Sequence, residues 1–205
     1  MPVTNTPEGH AHDSSEYEAI TLIRDTDQDF MQMTIKDALD SLTQRHPVLT
    51  HDGAHISLCA GLVANASRAL TFAACSRTPG RFPDLATRHA VADEAEALYT
   101  PPDSPKGLHA DAMSAAAALI RQTTFEDTPG PSLAVRYALL AHDHGDAGPR
   151  ILPYALAAFA RHYCNETARA RKITVDALLD EFEGHTMETH EYEREHWEAG
   201  WDPYE

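Results

Sequence analysis

Alanine is the feature that most constrains how this chain can fold. The sequence has 33 alanines among 205 residues, whereas leucine, isoleucine, valine and phenylalanine together number only 37, about 18% of the chain. With a formal charge of −16, so few large apolar residues would normally indicate disorder. Alanine is the strongest helix former. The composition therefore predicts an all-α protein whose helices pack closely through small side chains.

Signals for helix starts and stops follow one another along the chain, and alternating strand patterns are almost absent after residue 30. The segment AITLI, which begins at Ala19, fits either a short strand or a helical turn. The pattern predicts a single compact multi-helix bundle of about six to seven helices. These helices are expected near 34–46, 55–76, 83–99, 108–123, 132–144, 149–171 and 174–183.

Negative charge is concentrated at the two ends of the chain. Residues 1–33 hold seven acids and one base, residues 176–205 hold eleven acids and one base, and the stretch between them holds fourteen of each. The neutral middle is typical of a packed body. We divide the chain into a disordered N-terminal arm (1–15), a helical domain (16–183) and an acidic aromatic C-terminal segment (184–205).

The C-terminal segment combines its acids with large aromatic side chains. Tyr192, Tyr204 and both tryptophans of the chain, Trp197 and Trp201, fall there. Acidic tails can serve solubility alone, but a purely solvating tail has little use for large aromatics. We therefore expect this segment to dock, either on its own body or on a protein with a basic surface.

Two apolar stretches are candidates for buried helices. The longer one, Ile56 to Cys75, is about one bilayer thick, but Asn65, Ser67 and Arg68 lie near its middle, where a charge is costly in lipid. It is predicted to be a long core helix of a soluble protein. The helix over 132–144 is apolar nearly all round, which is typical of a central, buried helix.

Charge, cysteine content and the N-terminal sequence exclude several function classes. An excess of acids argues against nucleic-acid binding through a basic surface. The three cysteines, Cys59, Cys75 and Cys164, form no CxxC pair and are odd in number, which indicates a reducing compartment. No signal-peptide pattern begins the chain. We expect a cytoplasmic protein without a membrane segment or direct nucleic-acid contacts.

Thirteen histidines make metal binding worth considering. His142, Asp143 and His144 lie together at the end of the helix over 132–144. Imidazole and carboxylate groups side by side can bind a divalent transition metal. Alternatively, His142 and His144 cap the last helix carbonyls, where a cationic imidazole is favoured by the helix dipole.

The run LLAHDHGDAG resembles the His-Asp doublet of the HD-domain metal-dependent phosphohydrolases, an all-α family. Upstream, Arg88-His89-Ala-Val-Ala resembles that family's first metal histidine. The resemblance implies that His89, His142 and Asp143 bind the metal, and Asp176 is the nearest candidate for the family's last aspartate. A metal-activated water would then attack a phosphate ester, such as a nucleotide.

Other histidines have simpler interpretations. His89, Asp93 and Glu96 share one helix face, which suits either a metal or a solvated polar stripe. His51 and His55 have a metal-compatible interval, but Gly53 between them indicates a loop with Asp52 as the cap of the next helix. Cys59 and Cys75 are expected to be buried packing residues.

Two functions follow from the sequence. The first is a non-enzymatic partner-binding or regulatory module that uses its acidic C-terminal surface. The second is an HD-type phosphohydrolase with a divalent metal at His89, His142 and Asp143. The sequence does not decide whether the protein is an enzyme.

Overall fold

The computed structural model describes residues 7–26, 31–101, 106–125 and 128–184, with only the backbone described at 7–14 and 31–33. These residues contain eight helices and no strand, which confirms the predicted all-α bundle. The helices are α1 (Pro7–Asp25), α2 (Met31–Arg45), α3 (His51–Arg77), α4 (Leu85–Tyr99), α5 (Leu108–Thr124), α6 (Leu133–His144), α7 (Ala147–Arg171) and α8 (175–184).

Helix α3 is the centre of the bundle. It begins after Thr50, whose side-chain oxygen accepts a hydrogen bond from the backbone N–H of Gly53 at 3.0 Å. The helix packs against α1, α2, α4, α5, α6 and α7. By length and composition it could cross a membrane, but 61% of its most apolar window is buried inside the protein. This confirms the predicted long core helix.

Helix α1 lies close against α3 because Gly61 has no side chain. A Cβ added to Gly61 would lie only 2.4 Å from the backbone oxygen of Ser15. The buried Asn65 donates to the Gly61 carbonyl at 3.0 Å and to the Glu16 carbonyl at 3.4 Å. The small residue and the buried amide together fix where the two helices meet.

Helix α1 extends further toward the N-terminus than the sequence indicated. It begins at Pro7, inside the arm (1–15) that was predicted to be disordered, and Ser15 is fully buried. The ambiguous AITLI segment is helical and buries Ala19, Ile20, Leu22 and Ile23. The polar N-terminal sequence gave no sign of this helix because its stability depends on contacts with α3 that are distant in sequence.

The prediction that the helix over 132–144 is central and buried was wrong. In α6 only Leu140 is buried, and Val135 and Leu139 are 48% and 50% exposed. Helix α6 packs mainly against α7, where a Cβ added to Gly148 would lie 2.1 Å from the Leu140 carbonyl oxygen, and it also contacts α3 and α5. An apolar composition does not distinguish a central helix from a peripheral one that leaves an apolar face uncovered.

Helix α8 is the last helix in the described part of the chain, and it packs against α1 and α3. Thr174 caps it by accepting a hydrogen bond from the Ala177 N–H at 3.1 Å. Its inner face buries Leu178, Leu179 and Phe182, and the Phe182 ring packs on Phe72 of α3 with 5.6 Å between ring centroids. The acidic aromatic segment continues from Gly184, and residues 185–205 lie outside the described part of the chain.

Candidate functional site

The predicted metal ligand His89 lies in a cluster that an arginine organises. Its ring stacks on Phe125 with 4.0 Å between centroids, and its Nδ1 lies 3.5 Å from Nη1 of Arg121. Arg121 also donates to Asp93 and, at 2.9 Å, to Glu96. His89, Asp93 and Glu96 therefore lie on one face of α4, but Arg121 of α5 contacts all three side chains.

The other two predicted ligands face solvent at the end of α6. His142 and Asp143 are exposed, whereas Nε2 of the neighbouring His144 lies 2.8 Å from a carboxylate oxygen of Asp111 in α5. Across the described ranges, no group of three or more histidine, cysteine or acidic side chains could hold a metal ion. The structure therefore does not bring His89, His142 and Asp143 together.

The nearest candidate for the last aspartate of the HD pattern also has another partner. Asp176 lies in α8, where its carboxylate is 3.7 Å from Nε of Arg24. The residues that carry the HD resemblance are thus distributed over α4, the end of α6 and α8. In the described structure these residues therefore form no common metal centre.

A groove lies between α3, α5 and the segment that leads into α6. Its volume is about 540 Å³, within the range of about 300–1,000 Å³ that is usual for ligand sites. Small and apolar side chains line it together with a few polar ones. They include Ala60, Val63, Ala64, Leu119, Gln122, Thr123, Pro129, Ser132 and Leu133.

Arg136 lies at the rim of this groove. It forms no ion pair with an acidic side chain in the described part of the chain. A Cβ added to the lining residue Gly130 would lie 3.2 Å from Nη2 of Arg136 and even closer to the Gln122 amide. The Nε atom of Arg136 is buried and has no hydrogen-bond partner. Burial lowers the pKa of Arg136, because a desolvated cation without a carboxylate is unfavourable.

Sequence reasoning missed this groove. The only local signal is the pair Ala60 and Ala64, two small residues spaced four apart on the same face of α3. The opposite wall comes from α5 and from the loop at 128–130, and nothing local shows that this loop packs beside α3.

A second polar cluster surrounds His55 near the start of α3. The structure corrects the prediction of a loop here, because Thr50 caps the helix and both His51 and His55 lie within α3. Their rings meet edge to face at 5.0 Å. His55 is 4% exposed and its Nδ1 has no hydrogen-bond partner, while Tyr137 of α6 donates to Asp52 at 3.1 Å.

The buried His55 predicts an acid-sensitive fold. Burial lowers the pKa of His55 below its ordinary 6.5. The charges of His51 and Arg150 lower this pKa further, and Asp52 opposes the shift. The unfolded chain therefore takes up the proton at a higher pH than the folded chain, and stability falls as the pH drops through about 6.5. Urea unfolding at about pH 7.5 and about pH 5.5 should show this loss, and His55→Gln should make it smaller.

His162 is the control for this measurement. It packs edge to face on Tyr99 at 5.7 Å, and burial lowers its pKa as well. His162→Gln should therefore remove a separate part of the pH dependence of stability. The effects of the two substitutions on the free energy of unfolding should add, because His55 and His162 contact different residues. An unchanged pH dependence in His55→Gln would show that His55 is not held neutral.

Of the two cysteines predicted to be buried packing residues, Cys59 is buried and Cys75 is not. Cys59 and Cys164 are fully buried and free, and burial raises the pKa of Cys164 to about 12. Such thiols are unreactive at neutral pH. Cys75 is only partly buried, because it lies on the side of α3 that the other helices leave partly open.

Comparison with protein-family models, with curated proteins and with solved structures gave no match.

Proposed function

We propose that this protein is a non-enzymatic helical module that binds a basic protein surface through residues 185–205, which α8 presents from a fixed point on the body. The observation that carries the proposal is the anchoring of α8. Arg24 of α1 reaches Asp180 at 2.7 Å and Glu183 at 3.1 Å, and Phe182 is buried against Phe72 of α3.

This anchoring separates two groups of acids that the sequence shows as one run. Four of the eleven acids after residue 175 lie in α8 and pair with Arg24 or Arg171. Seven acids and one base, Arg194, then follow in residues 185–205. The charge available to a partner is therefore concentrated after α8, together with the two tryptophans.

Charge and aromatic content make this segment suitable for protein recognition. Acidic side chains steer a basic partner and give the association its salt dependence. Tryptophan and tyrosine are the residues that most often contribute the strongest contacts at protein interfaces. The HD-type hydrolase has no comparable support, since its three ligands lie apart in the described structure.

A chain that ends at residue 184 tests the proposal. Because α8 is held by its own contacts, we expect the truncated protein to keep the helical circular dichroism of the body. We expect a short lysine-rich peptide to bind the full chain in isothermal titration calorimetry at low salt and to bind the truncated chain at least about tenfold more weakly.

The matched control tests whether total negative charge is sufficient. Asp143→Asn and Asp146→Asn remove two exposed acids from the body and should leave peptide binding almost unchanged. Equal binding by the truncated and full chains would contradict the proposal, and so would loss of helical structure on truncation.

A further inference from the structure

One row of residues along α3 connects the end of α8 with the groove. Ala60, Ala64, Arg68 and Phe72 recur every fourth residue, so each contacts the next, and the row turns by about 120° around the helix between Ala60 and Phe72. At one end of the row, the Phe182 ring of α8 contacts Phe72, and the Arg68 guanidinium lies 5.5 Å from the centre of that ring. At the other end, Ala60 and Ala64 line the groove.

The chain that follows α8 is long enough to reach the groove. The row from Phe72 to Ala60 spans twelve residues of helix, about 18 Å. Trp197 follows Gly184 by thirteen residues, which cover about 20 Å even at the short rise of an α-helix. A more extended path reaches further, so Trp197 and Trp201 can both reach the groove.

The groove and the segment are complementary in chemistry. The groove offers about 540 Å³ between alanine, valine and leucine side chains, which suits one or two aromatic rings. Arg136 at its rim forms no ion pair with a described residue. The acids around the tryptophans, among them Glu195 and Glu198, supply the charge that this arginine lacks.

We infer that the groove between α3, α5 and the 128–133 segment is the docking site for residues 185–205 of the same chain when no partner is bound. The tryptophans occupy the groove and the neighbouring acids face Arg136. A basic partner must then compete with the body for the segment, which makes the contact autoinhibitory. The resting position of the segment can be tested without any partner.

Tryptophan fluorescence reports on this contact alone, because both tryptophans of the chain lie in residues 185–205. In the full chain we expect emission at a shorter wavelength, and acrylamide quenching several-fold weaker, than in a synthetic 185–205 peptide. Ala64→Phe, which fills the groove, should shift both properties toward those of the peptide. Ala90→Phe, at an exposed alanine of α4, is the matched control and should leave them unchanged.

Arg136→Gln provides a second test that does not alter the volume of the groove. It should increase quenching in the full chain while circular dichroism confirms that the body stays folded. Emission and quenching in the full chain that equal those of the peptide would overturn the inference, as would shielding that Ala64→Phe and Arg136→Gln both leave intact. Shielding that disappears on dilution would place the segment in the groove of a second copy and would equally overturn it.

The outcome is separable from the proposed function. Exposed tryptophans together with tight binding of the lysine-rich peptide would refute docking on the body and leave partner binding intact. Shielded tryptophans without peptide binding would support the docking and refute the partner proposal.

Discussion

Replacing Gly61 with alanine is expected to destabilise the protein by about 2–3 kcal/mol, although the same change in most helices is stabilising. The new Cβ would lie 2.4 Å from the carbonyl oxygen and 2.7 Å from the carbonyl carbon of Ser15. Both are backbone atoms, so α1 has to move away from α3. That movement exposes Ile20 and Ile23, which are fully buried.

Urea unfolding of Gly61→Ala, followed by circular dichroism, measures this loss. Gly184→Ala is the matched control, since an added Cβ there has no neighbour within 4 Å and the residue is exposed. It should change the free energy of unfolding by no more than about 0.5 kcal/mol, in the stabilising direction. If Gly61→Ala is as stable as Gly184→Ala, α1 does not pack on α3 at this point.

Replacing Phe182 with alanine is expected to release α8 from the body. The side chain is 2% exposed and packs on Phe72 and Arg68. Removing a buried phenylalanine costs about 3–5 kcal/mol, more than the exposed ion pairs of Arg24 can offset. We expect α8 to lose its protection against amide hydrogen exchange, while α3 and α7 keep most of theirs.

Phe82→Ala is the control for this second prediction. Phe82 is 74% exposed and its described contact is with Arg88, so the free energy of unfolding should change by no more than about 0.5 kcal/mol. The Phe182 variant should also make Trp197 and Trp201 more accessible to acrylamide, because the segment loses its fixed starting point. Unchanged exchange in α8 would mean that Phe182 does not anchor the helix.

Local sequence predicted those parts of the fold that depend on neighbouring residues. The long apolar run around Leu58 and Leu70 predicted the core helix. Gly145, with a φ of 59°, ends α6, as glycine commonly does after a helix. Helix α1 was missed because its polar sequence is stabilised by Gly61 and Asn65, about 50 residues away.

Less of the candidate site could be predicted from the sequence. The common face of His89, Asp93 and Glu96 follows from helical spacing, but Arg121 reaches it from another helix. The groove needs the packing of α3, α5 and the 128–133 segment together. The HD resemblance rested on two short motifs. The fold places them at different ends of α5, because His144 lies against Asp111 near its start and His89 lies against Arg121 near its end.

Binding of the lysine-rich peptide to a charge-neutralised full chain tests the central claim most directly. The variant carries glutamine in place of Glu188, Glu191, Glu193, Glu195 and Glu198, and keeps both tryptophans and the whole of α8. We predict at least about tenfold weaker binding at low salt than for the unmodified chain, and a smaller further loss at about 0.15 M salt. Equal affinity and equal salt dependence of the two proteins would contradict the claim that this segment is where a basic partner binds.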